Sequence, residues 1–333
     1  MTLKRRSIAG QSLHSVGLGC MSLSQAYYPL PSDTEGEKLL HHAIDIGYDH
    51  LDSARLYGLG RNEALLARVL KTRRKDVFIA SKCGIEFDDG NRRIDCQPKT
   101  IRRAVEKSLA TLETDFIDLY YLHRRDRDIP IEDSVGTLGR LIEEGKIGAI
   151  GLSEMSADTL KDAAKEHPIA AMQSEYSLWT RNPEIAVLET CKTLGTAFIA
   201  FSPVARGALA GAITDPAKLD VKDLRANHPR FNQENWAKNQ KLISKFNAIA
   251  ARENMSAAQL SLAWVLAQGA HVHAIPGTAS IAHLEENFET LNKTVETAVV
   301  EEVSNLINHD TVSGHRYPER MRKAIDTEEF DPV

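Results

Sequence analysis

The sequence predicts an α/β fold, a (β/α)8 TIM barrel, and three observations carry that prediction: eight short apolar runs, helical stretches between them, and nearly even spacing. The runs begin near Val16, Tyr48, Val77, Ile117, Ile147, Ala170, Ala197 and Val272 and are rich in β-branched or aromatic residues. Their starts lie 23 to 40 residues apart, except that the last two are 75 apart. Spacing of the shorter kind suits one strand, one helix and short loops. Runs such as 117–122 and 197–201 are largely apolar throughout rather than alternating, as parallel strands covered on both faces should be.

The elements have local reasons. Ser32 and Glu35 form a capping box, Leu39, Leu40, Ala43 and Ile44 make one helical face, and Gly47 ends the run. Ile131, Val135, Leu138 and Ile142 make a second stripe at helical spacing. The oversized gap, Pro203 to Gly269, reads as a long functional loop with Pro216, Pro229 and Trp236, followed by two helices near 242–252 and 257–268 before the eighth strand. No composition break or low-complexity linker divides the chain, so residues 1–333 are expected to form a single domain. The polar tail, about 309–333, should wrap the outside or cover a mouth of the barrel.

Composition narrows the function. The 333 residues carry 46 acidic and 41 basic side chains, a formal charge of −5, so bulk electrostatics do not favour a nucleic-acid partner. The four cysteines form no CxxC pair and no disulfide framework, which suggests reduced thiols and a cytoplasmic location. The start of the chain lacks the apolar core of a leader, and no run of 18 apolar residues predicts a membrane span.

Several familiar motifs fail on inspection. Gly17-Leu18-Gly19 opens like a dinucleotide fingerprint, but Ser22 stands where the third glycine belongs and Pro29 and Pro31 mark a loop instead of a helix. Gly151-Leu152-Ser153-Glu154-Met155 lacks the last glycine of a nucleophile elbow, and neither a P-loop nor a zinc-protease motif occurs. His271 and His273 offer two imidazoles with no third ligand nearby in sequence, so they read as structural and no metal is expected.

One constellation survives. In α/β barrels, polar residues at the carboxyl ends of strands build the active site. Asp52 ends the second strand, Tyr57 follows in its loop, Lys82 ends the third strand and His123 the fourth. A tyrosine beside an ammonium is a proton donor with a lowered pKa, the carboxylate orients that ammonium, and a neutral imidazole can hydrogen-bond a carbonyl oxygen. The alternative for these four is a structural Asp52–Lys82 pair, a loop aromatic and a rim histidine.

Together with this set, Gly19-Cys20-Met21, Leu51-Asp52-Ser53-Ala54, Asn62-Glu63, Ala80-Ser81-Lys82, Leu119 to Arg124, Gly151 to Glu154, Phe201-Ser202-Pro203 and Ile275 to Thr278 resemble the aldo-keto reductase superfamily. The likeness covers about residues 3–307 and is nearest to the branch of perakine reductase, bacterial aldo-keto reductases and pyridoxal reductase-like enzymes. It implies reduction of an aldehyde or ketone with NADPH, and Asp52, Tyr57, Lys82 and His123 as the catalytic tetrad. It further implies that Ser153 and Gln173 hold the nicotinamide carboxamide, that Phe201 stacks on the ring, and that Ser202, Pro203 and Arg206 meet the pyrophosphate. Gly277, Thr278 and Ser280 would receive the adenosine phosphate end, with Glu286 and Asn287 near adenine. Relatives commonly carry Lys or Arg just after the Gly-Thr pair, where this chain has Ala279-Ser280, so NADH stays open beside NADPH, with Arg225 or Arg230 as alternative sources of the missing cation. Tyr27, Tyr28, Phe87, Arg124 and Trp179, and Tyr317 of the tail, are candidates to contact a small-molecule carbonyl substrate. A nicotinamide-binding sensor or auxiliary subunit with little turnover is the competing functional class.

Overall fold

The computed structural model describes residues 4–88, 91–211 and 213–330. Eight parallel strands follow one another around the sheet: β1 (Leu18–Gly19), β2 (His50–Asp52), β3 (Phe78–Cys83), β4 (Leu119–Leu122), β5 (Ile150–Ser153), β6 (Ile169–Glu175), β7 (Ala197–Phe201) and β8 (Val272–Ile275). The seam closes between β8 and the segment leading into β1, where the Gly17 N–H donates to Ala274 O at 2.9 Å and the Ala274 N–H to Ser15 O at 2.8 Å. Gly19 permits that closure, because a Cβ there would stand 2.8 Å from the Ile275 carbonyl oxygen. The sheet is a (β/α)8 barrel, as the periodicity predicts.

Helices surround it: α1 (Asp33–Ile46), α2 (Arg61–Arg73), α3 (Pro98–Leu112), α4 (Ile131–Glu143), α5 (Ala157–Glu166), α6 (Val187–Leu194), α7 (Gln233–Arg252), α8 (Ala257–Ala267), α9 (Ile281–Glu289), α10 (Thr297–Leu306) and a short α11 (Glu319–Arg322). The capping box at α1 is present, with Ser32 Oγ accepting from the Glu35 N–H and Glu35 Oε2 from the Ser32 N–H, and Gly47 ends the helix at φ +112°. Such a cap contributes about 1 kcal/mol.

Strand period decides what points where. On β3, Ile79 and Cys83 pack outward against the helices, whereas Phe78 and Ala80 point into the barrel, which carries Lys82 inward as well. The same alternation turns Leu119 and Tyr121 inward and therefore His123, and turns Leu51 outward and therefore Asp52 inward. Ala171 and then Gln173, and Ala197, Ile199 and then Phe201, complete the inner face. The polar candidates thus share the top layer of the barrel interior, above an apolar filling.

A hairpin that the strand spacing does not reveal, Arg5–Ile8 paired with Gln11–His14, closes the opposite end, with Ile8 and Leu13 joining the barrel interior. A second hairpin, Ile85–Asp88 with Asn91–Ile94, rises from the top of β3. The tail docks over β5 and α5. Asp326 accepts from the Ser156 N–H and the Thr159 hydroxyl, and Glu328 accepts from the Ala157 N–H, so tail carboxylates satisfy the amino end of α5. Arg316, 2% exposed, pairs with the fully buried Glu154 at 2.9 Å.

Candidate active site

At the carboxyl ends of the strands lies a cavity of about 440 Å³. Asp52, Tyr57 and His123 line it. Lys82 is fully buried behind them, ion-paired to Asp52 and donating to Ser53 O at 2.7 Å, with its Nζ 5.2 Å from the Tyr57 ring centre. The second carboxylate oxygen of Asp52 accepts from Gln173 Nε2 at 2.7 Å. Tyr57 and His123 meet edge to face, ring centres 6.0 Å apart. The structure therefore gathers all four residues expected from strands two, three and four.

A polar brace holds Tyr57 in place. Ser53 Oγ donates to Asn62 Oδ1 at 2.7 Å, and Asn62 Nδ2 donates to Cys20 O and Ser24 Oγ. Glu63, fully buried, pairs with Arg55 at 2.7 Å and accepts from Ser81 Oγ at 2.7 Å. Gly60 sits at φ +97°, and a Cβ there would meet Arg55 Nη1 at 2.8 Å, so the turn after Tyr57 needs glycine to let that brace form. Asn62 and Glu63 thus position the loop rather than touch the cavity.

The electrostatics are uneven. Burial works against the Lys82 charge, but Asp52 and then Tyr57 outweigh it and hold the ammonium above its ordinary value. Burial pushes the Tyr57 phenol up, while Lys82 and, less, Arg124 pull it down. The net direction is upward, opposite to the lowering expected from Lys82 alone, because the phenol is only 8% exposed and burial disfavours its anion. His123 is driven well below the usual imidazole range by burial, then by Arg124, Lys82 and Arg92, and is neutral near pH 7. Its Nδ1 is buried without a partner among the described residues.

Around this centre the cavity wall includes Ser153, Gln173, Phe201, Ser202, Pro203, Arg206, Gly277, Thr278, Glu286 and Asn287. The donor set fits a dinucleotide: directional hydrogen-bonding groups at the ends of β5 and β6, a half-buried aromatic at the end of β7, and an arginine in the next loop. Gly277 supplies a backbone cradle, since a Cβ there would come 2.9 Å from Gly19 O. Three of the expected cofactor positions also have partners within the protein. Gln173 is engaged with Asp52, Arg206 is ion-paired with Glu175 at 2.7 Å, and Ser280 caps α9 by accepting from the His283 N–H while its exposed neighbour Ala279 lines the cavity.

Tyr27, Tyr28, Arg124 and Tyr317 line the cavity, but Phe87 and Trp179 do not. Phe87 stands 45% exposed on the second hairpin. Trp179, 2% exposed, packs with Phe231 and Trp236 beneath the long loop, where aromatic burial outweighs rim exposure. Arg225 lines the cavity but pairs with Asp223 at 2.7 Å, and Arg230 is turned to Gly314 O and Thr180, away from it. Arg92, Met321 and His283 are wall residues the strand ends do not reveal. His271 bonds Leu188 O and His273 is buried in the barrel interior, and no group of three metal-ligating side chains occurs among the described residues.

A parallel barrel with a buried lysine–aspartate pair behind a tyrosine and a neutral histidine, beside a wall of hydrogen-bonding groups and one aromatic, has the residues that a nicotinamide-using oxidoreductase needs. The Aldo/keto reductase family profile matches residues 15–308. The chain is 39% identical over 325 residues to the aldo-keto reductase yakc [NADP(+)] of Schizosaccharomyces pombe, covering 96% of this chain and 95% of that one. In structure it is similar to the glycerol dehydrogenase AKR11B4 of Gluconobacter oxydans, with a TM-score of 0.84, 26% identity and coverage of 100% and 99% of the two chains. The aldo-keto reductase AKR11C1 of Bacillus halodurans gives a TM-score of 0.76 at 25% identity, with coverage of 95% and 100%. The chain belongs to the aldo/keto reductase family and is an NAD(P)H-dependent oxidoreductase.

Proposed function

We propose that the protein reduces an aldehyde or ketone to the alcohol, reversibly, with Tyr57 as proton donor and NADPH as the preferred cofactor. The observation that carries this reading is that Tyr57 and His123 face one cavity over the buried Lys82–Asp52 pair. His123, kept neutral, donates a hydrogen bond to the substrate oxygen without competing for its proton. Tyr57 gives its phenolic proton to that oxygen as it gains charge, and the Lys82 ammonium stabilises the phenolate left behind. Asp52, fixed by Gln173, keeps the ammonium charged and aimed. A nicotinamide cofactor, when bound, would supply the hydride that the carbonyl carbon accepts. On this reading Ser153 and Gln173 would hold its carboxamide and Phe201 would stack on its ring, while Ser202, Pro203, Arg206, Gly277, Thr278, Glu286 and Asn287, which line the same cavity, would hold the rest of the cofactor. Support for NADPH comes from the relative with NADP(+) in its name.

The test follows NADPH absorbance with a panel of aromatic aldehydes, ketones and pyridoxal, in wild type and Tyr57→Phe. Turnover should fall on the order of 100-fold or more in the variant with cofactor affinity nearly unchanged. Wild-type turnover in Tyr57→Phe, with chemistry rate-limiting, would falsify the assignment, and tight cofactor binding without any consumption would favour a sensor.

A further inference from the structure

We propose that the carbonyl substrate carries an anionic group, a carboxylate or a phosphate, held by Arg124 with help from Arg92. The inference rests on the reductase reading above and names its substrate class. Among the described residues four arginines line the cavity: Arg92, Arg124, Arg206 and Arg225. Arg206 and Arg225 are each neutralised at 2.7 Å, by Glu175 and Asp223. Arg124 is 8% exposed, and its recorded partners are uncharged: the His123 carbonyl at 2.6 Å and Ser153 Oγ at 3.4 Å. Among the described residues no carboxylate lies within 4.0 Å of Arg124 or of Arg92. A guanidinium this buried without a counter-charge is costly unless a ligand supplies one.

Arg92 reaches the same cavity from the second hairpin, where it stands opposite Phe87. Arg92 itself stands exposed on the hairpin, yet partial burial of its guanidinium and then Arg124 hold it below its ordinary value, so the two cations feel each other. An anion between them would relieve both. The carboxylates on the cavity wall do not serve, because Asp52 is committed to Lys82 and Gln173, and Glu286 belongs to α9.

These cations are not placed for the cofactor phosphates. Arg124 follows β4 and Arg92 follows β3, across the eight-stranded barrel from the loops after β7 and β8, where Arg206 and Gly277 stand. Because Arg124 directly follows His123, its charge neighbours the point where the carbonyl oxygen is to be received. A bidentate guanidinium suits both carboxylate and phosphate oxygens.

The experiment compares substrates of one shape: 4-formylbenzoate, its neutral methyl ester and 4-formylphenyl phosphate, with wild type, Arg124→Gln and Arg92→Gln. In wild type kcat/KM should favour an anion over the ester by about tenfold to 100-fold, mainly through KM, and the preference should shrink as salt rises. Whichever anion is favoured more identifies the source. The anion-to-ester ratio should collapse in Arg124→Gln and drop less in Arg92→Gln, whatever happens to absolute rates. Equal use of ester and anions, or a preference that survives Arg124→Gln, overturns the proposal. If nothing is reduced, the reductase reading fails instead, and calorimetric affinities for 4-formylbenzoate against its ester, in wild type and Arg92→Gln, still decide the anion site.

Discussion

Lys82→Met tests the tetrad on two independent scales. The ammonium is fully buried and paired with Asp52, itself 2% exposed, so the substitution leaves a carboxylate with Gln173 as its recorded side-chain donor. Removing one partner of a buried pair destabilises by roughly 3 to 5 kcal/mol. Catalysis loses a separate quantity. With Nζ 5.2 Å from the Tyr57 ring centre, a unit charge on the phenolate interacts with the ammonium by on the order of 3 kcal/mol at an effective dielectric of about 20, or about 100-fold in rate if the full charge develops. Urea unfolding should therefore show a midpoint drop that Asp52→Asn in the same chain partly restores, since the double variant buries no lone charge. NADPH oxidation should remain slow in both, because neither has the cation. If the double variant recovers activity along with stability, Lys82 serves folding alone and the mechanism is wrong. An unchanged rate and pH profile in Lys82→Met would defeat the role outright.

Other outcomes follow from the same geometry. Arg316→Ala breaks a pair with a fully buried glutamate, and should lower stability by roughly 3 to 5 kcal/mol in urea and raise KM by freeing Tyr317 from the cavity wall. If KM is unmoved, the tail does not shape the site. Burial holds His273 down at about 3 and His228 at about 4, so the unfolded chain binds those protons more readily; stability is present above about pH 6.5 and drains as pH falls. His273 alone predicts a loss on the order of 3 kcal/mol between pH 7 and pH 4, and a flat urea midpoint over that range would contradict it. Ala279→Arg should tighten NADPH binding about tenfold to 150-fold and leave NADH nearly unchanged in fluorescence titration, because Ala279 faces the cavity without the capping duty that Ser280 performs. No gain would mean that the wall already supplies a cation there.

What the sequence disclosed and what it withheld divide along a physical line. Strand alternation is local, so knowing that Phe78 and Ala80 face inward is enough to send Lys82 inward, and the same counting aligns Asp52 and His123. The top layer of the barrel was legible for that reason. Contacts made by segments far apart in the chain carry no such period. The plug of Ile8 and Leu13, the burial of Trp179 under Phe231 and Trp236, and the seating of Arg316 on Glu154 all depend on which loop arrives where. The charge state of Tyr57 belongs to the same category, since a neighbouring lysine argues for a lower pKa and burial argues for a higher one, and the extent of burial is a property of the whole fold. Arg124 joins the two categories. Its position beside His123 is local and visible, whereas the lack of a carboxylate partner among the described residues emerges only once Arg206 and Arg225 have taken Glu175 and Asp223, and the anion site proposed for this wall of the cavity rests on that distant pairing.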